Sequence, residues 1–347
     1  MKSTLLLAAA ASLLLSACHE LPDYDNNTAA DNFEALWQEV DRHYCFFDEK
    51  DVDWQAIHDK YVIQAKGNAG GQPLFRIMAA MLDELRDGHV NLSAPFATSY
   101  YRNWWSDYPQ NYDRRLVEQY YFGFKYSSIG AIDYGLLPGN VGYMRWPSFE
   151  SSLGEGNLDY ILYSFNMAVG LIIDIRDNGG GDVTNAASLA SRFVTEKTAA
   201  GFIRHKTGPG HSDFSEPFEI TIEPPGNGHF LWVKPVVVLT NRSTFSAANY
   251  FAGIMKHLPN VTIAGATTGG GAGMPYSLEL PNGWGVRFSA CPVYDATGVC
   301  TESGIEPTKG CVVDLDPIEA LGGHDTMLDF AIRLLIDRAS GTQVSPD

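Results

Sequence analysis

The sequence predicts an α/β protein with a mostly parallel sheet, preceded by a small helical subdomain. After residue 122, short apolar runs alternate with segments of helical spacing, and this order favours a parallel sheet with right-handed crossovers. Before residue 94, three amphipathic segments follow one another with the spacing of helices. The apolar share of 45% is ordinary for a globular protein with a core.

The N-terminus has the pattern of an export signal. A short positive start is followed by the apolar run Leu5–Leu15, which is too short to span a bilayer. Leu15-Ser16-Ala17-Cys18 then resembles a bacterial lipobox, and the resemblance implies a lipoprotein signal peptide over 1–17 and a lipid on Cys18. We therefore expect an anchored lipoprotein of the bacterial cell envelope. The alternative is an ordinary signal peptide that leaves Cys18 as a thiol.

Composition divides the remaining chain into segments. We expect a flexible tether over 18–30, a helical subdomain over 31–93, an aromatic-rich connection over 94–121, an α/β core over 122–340 and a tail over 341–347. The subdomain helices are predicted at Asp31–Tyr44, Asp53–Ala65 and Pro73–Leu85, with Asp31 capping the first and Gly88 ending the third. The connection carries eight Tyr and Trp residues, which indicate either a packed crossing over the core or an aromatic wall beside a substrate groove.

The core elements follow from strand-like runs and helical spacing. Strands are predicted at Gly142–Trp146, Val169–Arg176, Val236–Thr240 and Val261–Gly265. The segments of helical spacing are Leu158–Met167, Asp182–Thr195, the stretch from Ser246 to Leu258, and Asp325–Ala339. A hairpin is predicted over Tyr276–Ser289.

Charge and cysteine content exclude some partners. The net charge of −17, from 24 basic and 41 acidic residues, argues against nucleic acid and anionic lipid surfaces. Beyond Cys18 there are four cysteines, and Cys291 and Cys300 flank a turn that a disulfide could close. No spacing of Cys or His suggests a metal site, so we expect neither a metal nor an organic cofactor.

Three places in the sequence could carry chemistry. Ser246 lies where a turn enters a helix, a position suited to a nucleophile and equally typical of an N-cap. The turn Gly179–Gly181 follows a buried strand, where backbone N–H groups can hold an oxyanion or simply form a tight turn. His89 and Glu302 lie at chain corners, where such residues are more often structural. Together these groups contain every part that acyl transfer needs.

Five motifs resemble those of the C-terminal-processing, or tail-specific, serine peptidases and of the related tricorn core peptidases. In chain order they are Leu85–His89, Ile172–Gly181, Leu239–Ala248, Ala264–Gly270 and Glu302–Pro307. The resemblance covers nearly the whole chain after residue 31 and implies a crotonase-like (ClpP/crotonase-type) fold and a peptide or protein substrate. It also implies Ser246 as the nucleophile, and an oxyanion hole formed by Ala247 with Gly180 or, one residue earlier, Gly179.

The sequence departs from the tail-specific branch at the base. The position of that branch's lysine falls on Gly271, whereas His89 and Glu302 match the histidine and glutamate of the tricorn branch. In tricorn a serine precedes the histidine, and Gly88 stands there in this chain. The connection over 94–121 is also too short for the PDZ domain of the tail-specific branch.

The sequence therefore predicts an endopeptidase-like serine hydrolase with a Ser246–His89–Glu302 triad. A histidine base leads us to expect activity to fall as the pH drops through roughly 6 to 7. Two alternatives stay open: a non-catalytic protein that binds peptides or other ligands on the same fold, and an esterase. The sequence gives no oligomeric state.

Overall fold

A computed structural model describes residues 27–67 and 70–341. The predicted signal peptide, Cys18 and most of the tether lie outside the described residues, as does nearly all of the tail. The helices are α1 (Ala29–His43), α2 (Trp54–Lys66), α3 (Gly71–Asp83), α4 (Asn103–Ser106), α5 (Arg114–Leu116) with a π-helix after it (Val117–Tyr121), α6 (Glu155–Ser164), α7 (Val183–Ser191), α8 (Ala247–Lys256), α9 (Pro317–Leu321) and α10 (Thr326–Ser340). The strands are β1 (Asn91–Ala94), β2 (Ala97–Thr98), β3 (Ser127–Ile129), β4 (Ile132–Leu137), β5 (Val141–Arg145), β6 (Leu171–Asp174), β7 (Thr198–Ile203), β8 (Phe218–Ile222), β9 (Val236–Thr240), β10 (Val261–Gly265), β11 (Gly273–Glu279) and β12 (Gly285–Tyr294).

Six strands form the core sheet in the order β10-β9-β6-β5-β4-β3. The strands from β10 to β5 pair in parallel, and β4 and β3 continue the sheet antiparallel. This arrangement confirms the predicted α/β fold with a largely parallel sheet and an N-terminal helical region. The parallel strands end at one edge, where open α/β sheets place their ligands.

Helices cover both faces of the core sheet. In β9, Val236 and Val238 join the cluster built on α6, α7 and α8, whereas Val237 and Leu239 join the cluster built on α10. Successive side chains of a strand point to opposite faces, so a strand buried on both faces must be apolar throughout. That is why β9 has no polar alternation in the sequence.

A second, antiparallel sheet joins the helical region to the core. Its order is β2-β1-β12-β7-β8, with β11 also paired to β12. β11 and β12 form the hairpin predicted over Tyr276–Ser289, and Val286 and Phe288 of β12 pack into the core of α1, α2 and α3. Because β1 follows α3 and pairs with β12, the sheet fixes the corner that carries His89.

Two predicted helix ends were wrong. Thr28 rather than Asp31 caps α1, and Asp31 completes a capping box from the third helical position. α3 ends at Asp83, and Arg86, not Gly88, takes the left-handed conformation after it, with φ of 50°. Within residues 27–67 and 70–341, no helix combines the length and apolar character needed to cross a bilayer.

Candidate active site

Ser246 lies at the sharp turn between β9 and α8. Its backbone has φ of 57° and ψ of −121°, a conformation that costs a non-glycine residue on the order of 1–3 kcal/mol. Two backbone hydrogen bonds hold it there, from Ser246 N–H to Gly270 O at 2.8 Å and from Phe245 N–H to Asn178 O at 3.0 Å. The Ser246 hydroxyl makes no capping hydrogen bond to α8, so the N-cap interpretation does not describe its side chain.

The hydroxyl of Ser246 instead meets His89. Ser246 Oγ lies 3.0 Å from His89 Nε2, although the two residues are 157 positions apart. His89 is only 4% exposed, and its backbone N–H donates to Asp87 Oδ1 at 2.8 Å. Burial lowers the pKa of His89 to about 4, and the charges of Arg287 and Lys50 act in the same direction while Asp87 opposes them. The imidazole is therefore neutral at neutral pH and able to accept a proton.

Glu302 makes no hydrogen bond to His89. Its Oε1 pairs with Lys50 Nζ at 2.7 Å, and its Oε2 accepts the N–H of Ala272 at 2.8 Å. Among residues 27–67 and 70–341, His89 Nδ1 has no partner with hydrogen-bond geometry, although the Gly273 backbone acts to raise the pKa of the ring. The structure thus brings Ser246 and His89 together, whereas Glu302 contacts Lys50 and Ala272 and not the imidazole.

Lys50 and Asp87 complete a cluster behind the histidine, and Lys50 is the member that the sequence analysis missed. Asp87 Oδ2 accepts a hydrogen bond from Tyr44 OH at 3.0 Å. Burial acts to raise the pKa of Asp87, but Lys50 and His89 hold it below its ordinary value. Burial also raises the pKa of Glu302, with a further contribution from the charge of Asp87. Lys50 therefore stabilises two neighbouring carboxylates behind the histidine. Only its buried position reveals it, because Lys50 belongs to none of the five motifs.

The glycine turn approaches Ser246 closely. A Cβ on Gly180 would lie 2.8 Å from Ser246 Cβ and 2.9 Å from the nitrogen of Ala247, so only glycine fits. The N–H of Gly180 already donates to Asn178 Oδ1 at 2.9 Å. In the described part of the chain, the N–H groups of Ala247 and Gly179 have no acceptor. Of the two predicted pairs of oxyanion donors, the one with Gly179 is therefore available without rearrangement.

An aromatic pair occupies the space beside two glycines that stand where the related families have a serine and a lysine. Trp104 stacks on Phe245 with ring centroids 4.1 Å apart, and Phe245 contacts His89 at 4.8 Å. A Cβ on Gly88 would lie 2.6 Å from Trp104 Nε1, and one on Gly271 would lie 2.5 Å from the Phe245 ring. We call this pair the Trp104–Phe245 stack. It fills the space that a serine at position 88 or a lysine at position 271 would need.

Two cavities open beside Ser246. The first has a volume of about 500 Å³ and is bounded by Ser246 and Ala247 but not by His89. The second has a volume of about 480 Å³, and His89 and Trp104 line it. The aromatic-rich connection thus forms a wall of the second cavity, in line with the sequence interpretation of an aromatic wall beside a groove. Trp105 and Tyr100 also lie on this wall.

The cysteines are free in this structure. Cys45, Cys291, Cys300 and Cys311 form no disulfide, so the pairing considered for Cys291 and Cys300 is not made. Within the described ranges, no three His, Cys, Asp or Glu side chains are arranged to hold a metal ion.

Comparisons with known proteins agree on one family. Residues 140–310 match peptidase family S41, and residues 25–83 match the tricorn protease C1 domain. A chloroplastic C-terminal processing peptidase of Tetradesmus obliquus is 27% identical over 55% of this chain and 38% of its own length. The carboxy-terminal processing protease CtpA of Bacillus subtilis (strain 168) is 26% identical over 48% of this chain and 34% of its own. The matched region thus spans less than half the length of these curated relatives.

A solved structure covers more of the chain. The crystal structure of a candidate peptidase from Parabacteroides merdae ATCC 43184 superposes with a TM-score of 0.86 and 42% sequence identity. The match covers 92% of this chain and 100% of that one. The similarity therefore includes the helical region as well as the core.

Proposed function

The chain belongs to peptidase family S41, a family of serine-type peptidases, and we propose that it cleaves peptide bonds with Ser246 as nucleophile. The single observation that carries this proposal is the 3.0 Å contact between Ser246 Oγ and His89 Nε2. A neutral imidazole at that distance takes the hydroxyl proton as the oxygen attacks a carbonyl carbon. No other titratable group makes a hydrogen bond to Ser246 Oγ in the described part of the chain.

The remaining steps follow the geometry of the turn. The attack forms a tetrahedral intermediate whose oxyanion accepts hydrogen bonds from Ala247 and Gly179 N–H. Each such donor contributes about 3 kcal/mol to the transition state. His89 then gives its proton to the leaving amine, which departs and leaves an acyl group on Ser246. Water then attacks the acyl carbon and loses a proton to His89, and His89 returns that proton to Ser246 Oγ as the acyl–oxygen bond breaks and the acid leaves.

We assign Glu302 the acid position of a Ser246–His89–Glu302 triad. Its support is its place in the buried cluster: Glu302 pairs with Lys50, and Lys50 also acts on Asp87, the carboxylate that stabilises the imidazolium formed during attack. Asp87 is the carboxylate that raises the pKa of His89, and it fixes the His89 backbone. In this proposal Glu302 acts through the cluster with Lys50 and Asp87, without a direct bond to the ring.

An active-site serine probe tests the proposal. A fluorophosphonate should label the protein, label Ser246→Ala not at all, and label His89→Gln much more slowly. The unlabelled wild-type protein should cleave peptide substrates, and both the probe and Ser246→Ala should abolish that cleavage. A folded protein that resists the probe would be a binding protein instead. A protein that turns over esters but not peptides would be an esterase.

We also propose that the protein is anchored in the cell envelope through a lipid on Cys18. The lipobox-like Leu15-Ser16-Ala17-Cys18 supports this proposal. Cys18→Ser should move the full-length protein from the membrane fraction to the soluble envelope fraction while its peptidase activity stays unchanged. A variant that is still cleaved before residue 18 and yet remains in the membrane pellet would exclude Cys18 as the anchor.

A further inference from the structure

The two cavities beside Ser246 are not equivalent in a peptidase. His89 lines the second cavity and must deliver its proton to the leaving amine, so the leaving part of the substrate lies there. Ala247, whose N–H faces the oxyanion, bounds the first cavity. The residue whose carbonyl is attacked therefore lies over the first cavity. This assignment rests on the proposed function.

We propose that the first cavity binds the side chain that precedes the scissile bond and selects large apolar or aromatic residues. Its volume of about 500 Å³ can hold a phenylalanine or tryptophan side chain together with adjoining substrate atoms. Its walls come from two helices and four strands and are mainly apolar. Apolar side chains that line it include Val183 and Ala187 of α7, Tyr250 of α8, Ile203 of β7, Ile220 of β8, Met274 of β11 and Val293 of β12.

The polar wall groups are already engaged. Asn249 donates to the carbonyl and the hydroxyl of Thr301 at 3.3 Å and accepts from Thr268 Oγ1 at 2.6 Å. Asp182 and Arg287 also line the cavity, but both are exposed and thus lie at its mouth. A charged side chain that entered would lose its water without meeting an opposite charge inside, which is strongly unfavourable. The cavity should reject Asp, Glu, Lys and Arg.

The test uses peptides that differ only in the residue before a fluorogenic amide. We expect kcat/KM for Phe and Leu to exceed that for Ala by at least tenfold, because each buried methylene alone discriminates by roughly 10-fold or more. Asp and Lys substrates should be slower than Ala. Equal rates for Phe, Ala and Lys on a protein that still reacts with fluorophosphonate would overturn the pocket assignment and leave the proposed function intact.

A charge placed in the pocket should change the preference. Ile220→Glu puts a carboxylate on the cavity wall, and we expect the ratio of Lys to Phe cleavage to rise at least tenfold. Thr221→Glu is the matched control, because adjacent strand residues face opposite sides. It should leave the ratio unchanged. A shift of the same size in both variants would mean that the charge acts at long range and that Ile220 does not line the binding pocket.

Binding provides a readout that does not need turnover. Ser246→Ala protein should bind the same uncleaved peptides in the order Phe, Leu, Ala, then Lys and Asp, measured by calorimetry. If the wild-type protein proves unreactive toward serine probes, the proposed catalysis fails, but this order still decides what the cavity holds. A binding order that ignores the residue would refute the inference.

Discussion

At the scale of single residues, His89 is a base that water barely reaches. The sequence led us to expect an acid limb of activity at pH 6–7, but burial destabilises the imidazolium and lowers the pKa of His89 to about 4. A base with a lowered pKa stays neutral over a wide range. In the transition state the imidazole gains a positive charge that the site must stabilise. Asp87, two residues before His89 and bonded to its backbone N–H, is a carboxylate placed to do so.

The first prediction concerns pH. Burial raises the pKa of Glu302 to about 7, so kcat/KM should decline near pH 7 as Glu302 gains a proton and loses its charge. The imidazole of His89 should stay neutral until about pH 4, its pKa in the folded protein, where kcat/KM should fall by half again. Asp87→Asn removes the charge that raises this pKa, so its acid limb should move to lower pH. Initial rates give the profile, and circular dichroism at each pH excludes unfolding. A limb at pH 6–7 that persists in folded Glu302→Gln would mean that His89 is hydrated.

The second prediction concerns Glu302. Glu302→Gln keeps the shape but removes the charge, and kcat should fall by about 10²–10⁴-fold with little change in KM if Glu302 stabilises the imidazolium. Glu306→Gln, four residues away and exposed, is the matched control and should change kcat less than twofold. The double variant with His89→Ala should be hardly worse than His89→Ala alone. Losses that multiply would show that Glu302 acts independently of His89.

At the scale of elements, the aromatic connection packs against the residues around His89, the proposed base. The half-buried Trp104 reaches the site from α4, and the carbonyl of Trp104 accepts a hydrogen bond from Arg242 Nε, which belongs to the turn before Ser246. Through Phe245, the indole keeps solvent from one face of the imidazole. We therefore expect the connection to affect both the position of His89 and its pKa.

The third prediction tests that link. Trp104→Ala removes the ring packed on Phe245, so His89 should gain mobility and water. We expect kcat to fall at least tenfold and the acid limb to move from pH 4 toward the ordinary histidine value of about 6.5. Trp105→Ala, on the same cavity wall but without the stack, should keep the limb in place. A loss of kcat with an unmoved limb would indicate a structural role only.

The elements differ in how far the sequence could predict them. The strands β6 and β9 were recognisable because both of their faces are buried, and Ser246 and His89 because motifs mark them. Lys50 and the stacking of Trp104 were not predictable, since each depends on contacts with residues far along the chain. The sequence pattern likewise does not indicate that the Gly180 N–H donates a hydrogen bond to the Asn178 side chain.

At the scale of the whole molecule, a buried ion cluster ties the glycine turn to the last helix. Arg176, three residues before Gly179, pairs with Asp174 at 2.6 Å and with Asp325, the N-cap of α10, at 2.8 Å. All three side chains are fully buried, and Tyr143 OH donates to Asp174 at 2.9 Å. The segment that leads into the glycine turn is thus tied to the N-terminus of α10.

The fourth prediction follows from this burial. Arg176→Met leaves two carboxylates without their cation, and we expect the free energy of unfolding to fall by about 3–5 kcal/mol. Urea denaturation followed by circular dichroism measures the loss. Arg333→Met on the exposed face of α10 is the control and should change stability by less than about 0.5 kcal/mol. Equal effects of the two substitutions would show that the cluster adds nothing specific.

The glycines around the Trp104–Phe245 stack restrict how this site could evolve or be redesigned. A lysine at position 271 needs the volume that the Phe245 ring occupies, and Gly271 also has φ of 78°, which a side chain tolerates poorly. Substituting lysine for Gly271 alone would displace the Phe245 ring, and replacing Phe245 first would leave a void beside His89. Either change would disturb His89 before a lysine could take over as the base. A lysine base at position 271 and the proposed histidine base beside Phe245 therefore exclude each other sterically. In the sequence of a related chain, an aromatic residue at position 245 together with glycine at position 271 should predict a histidine base.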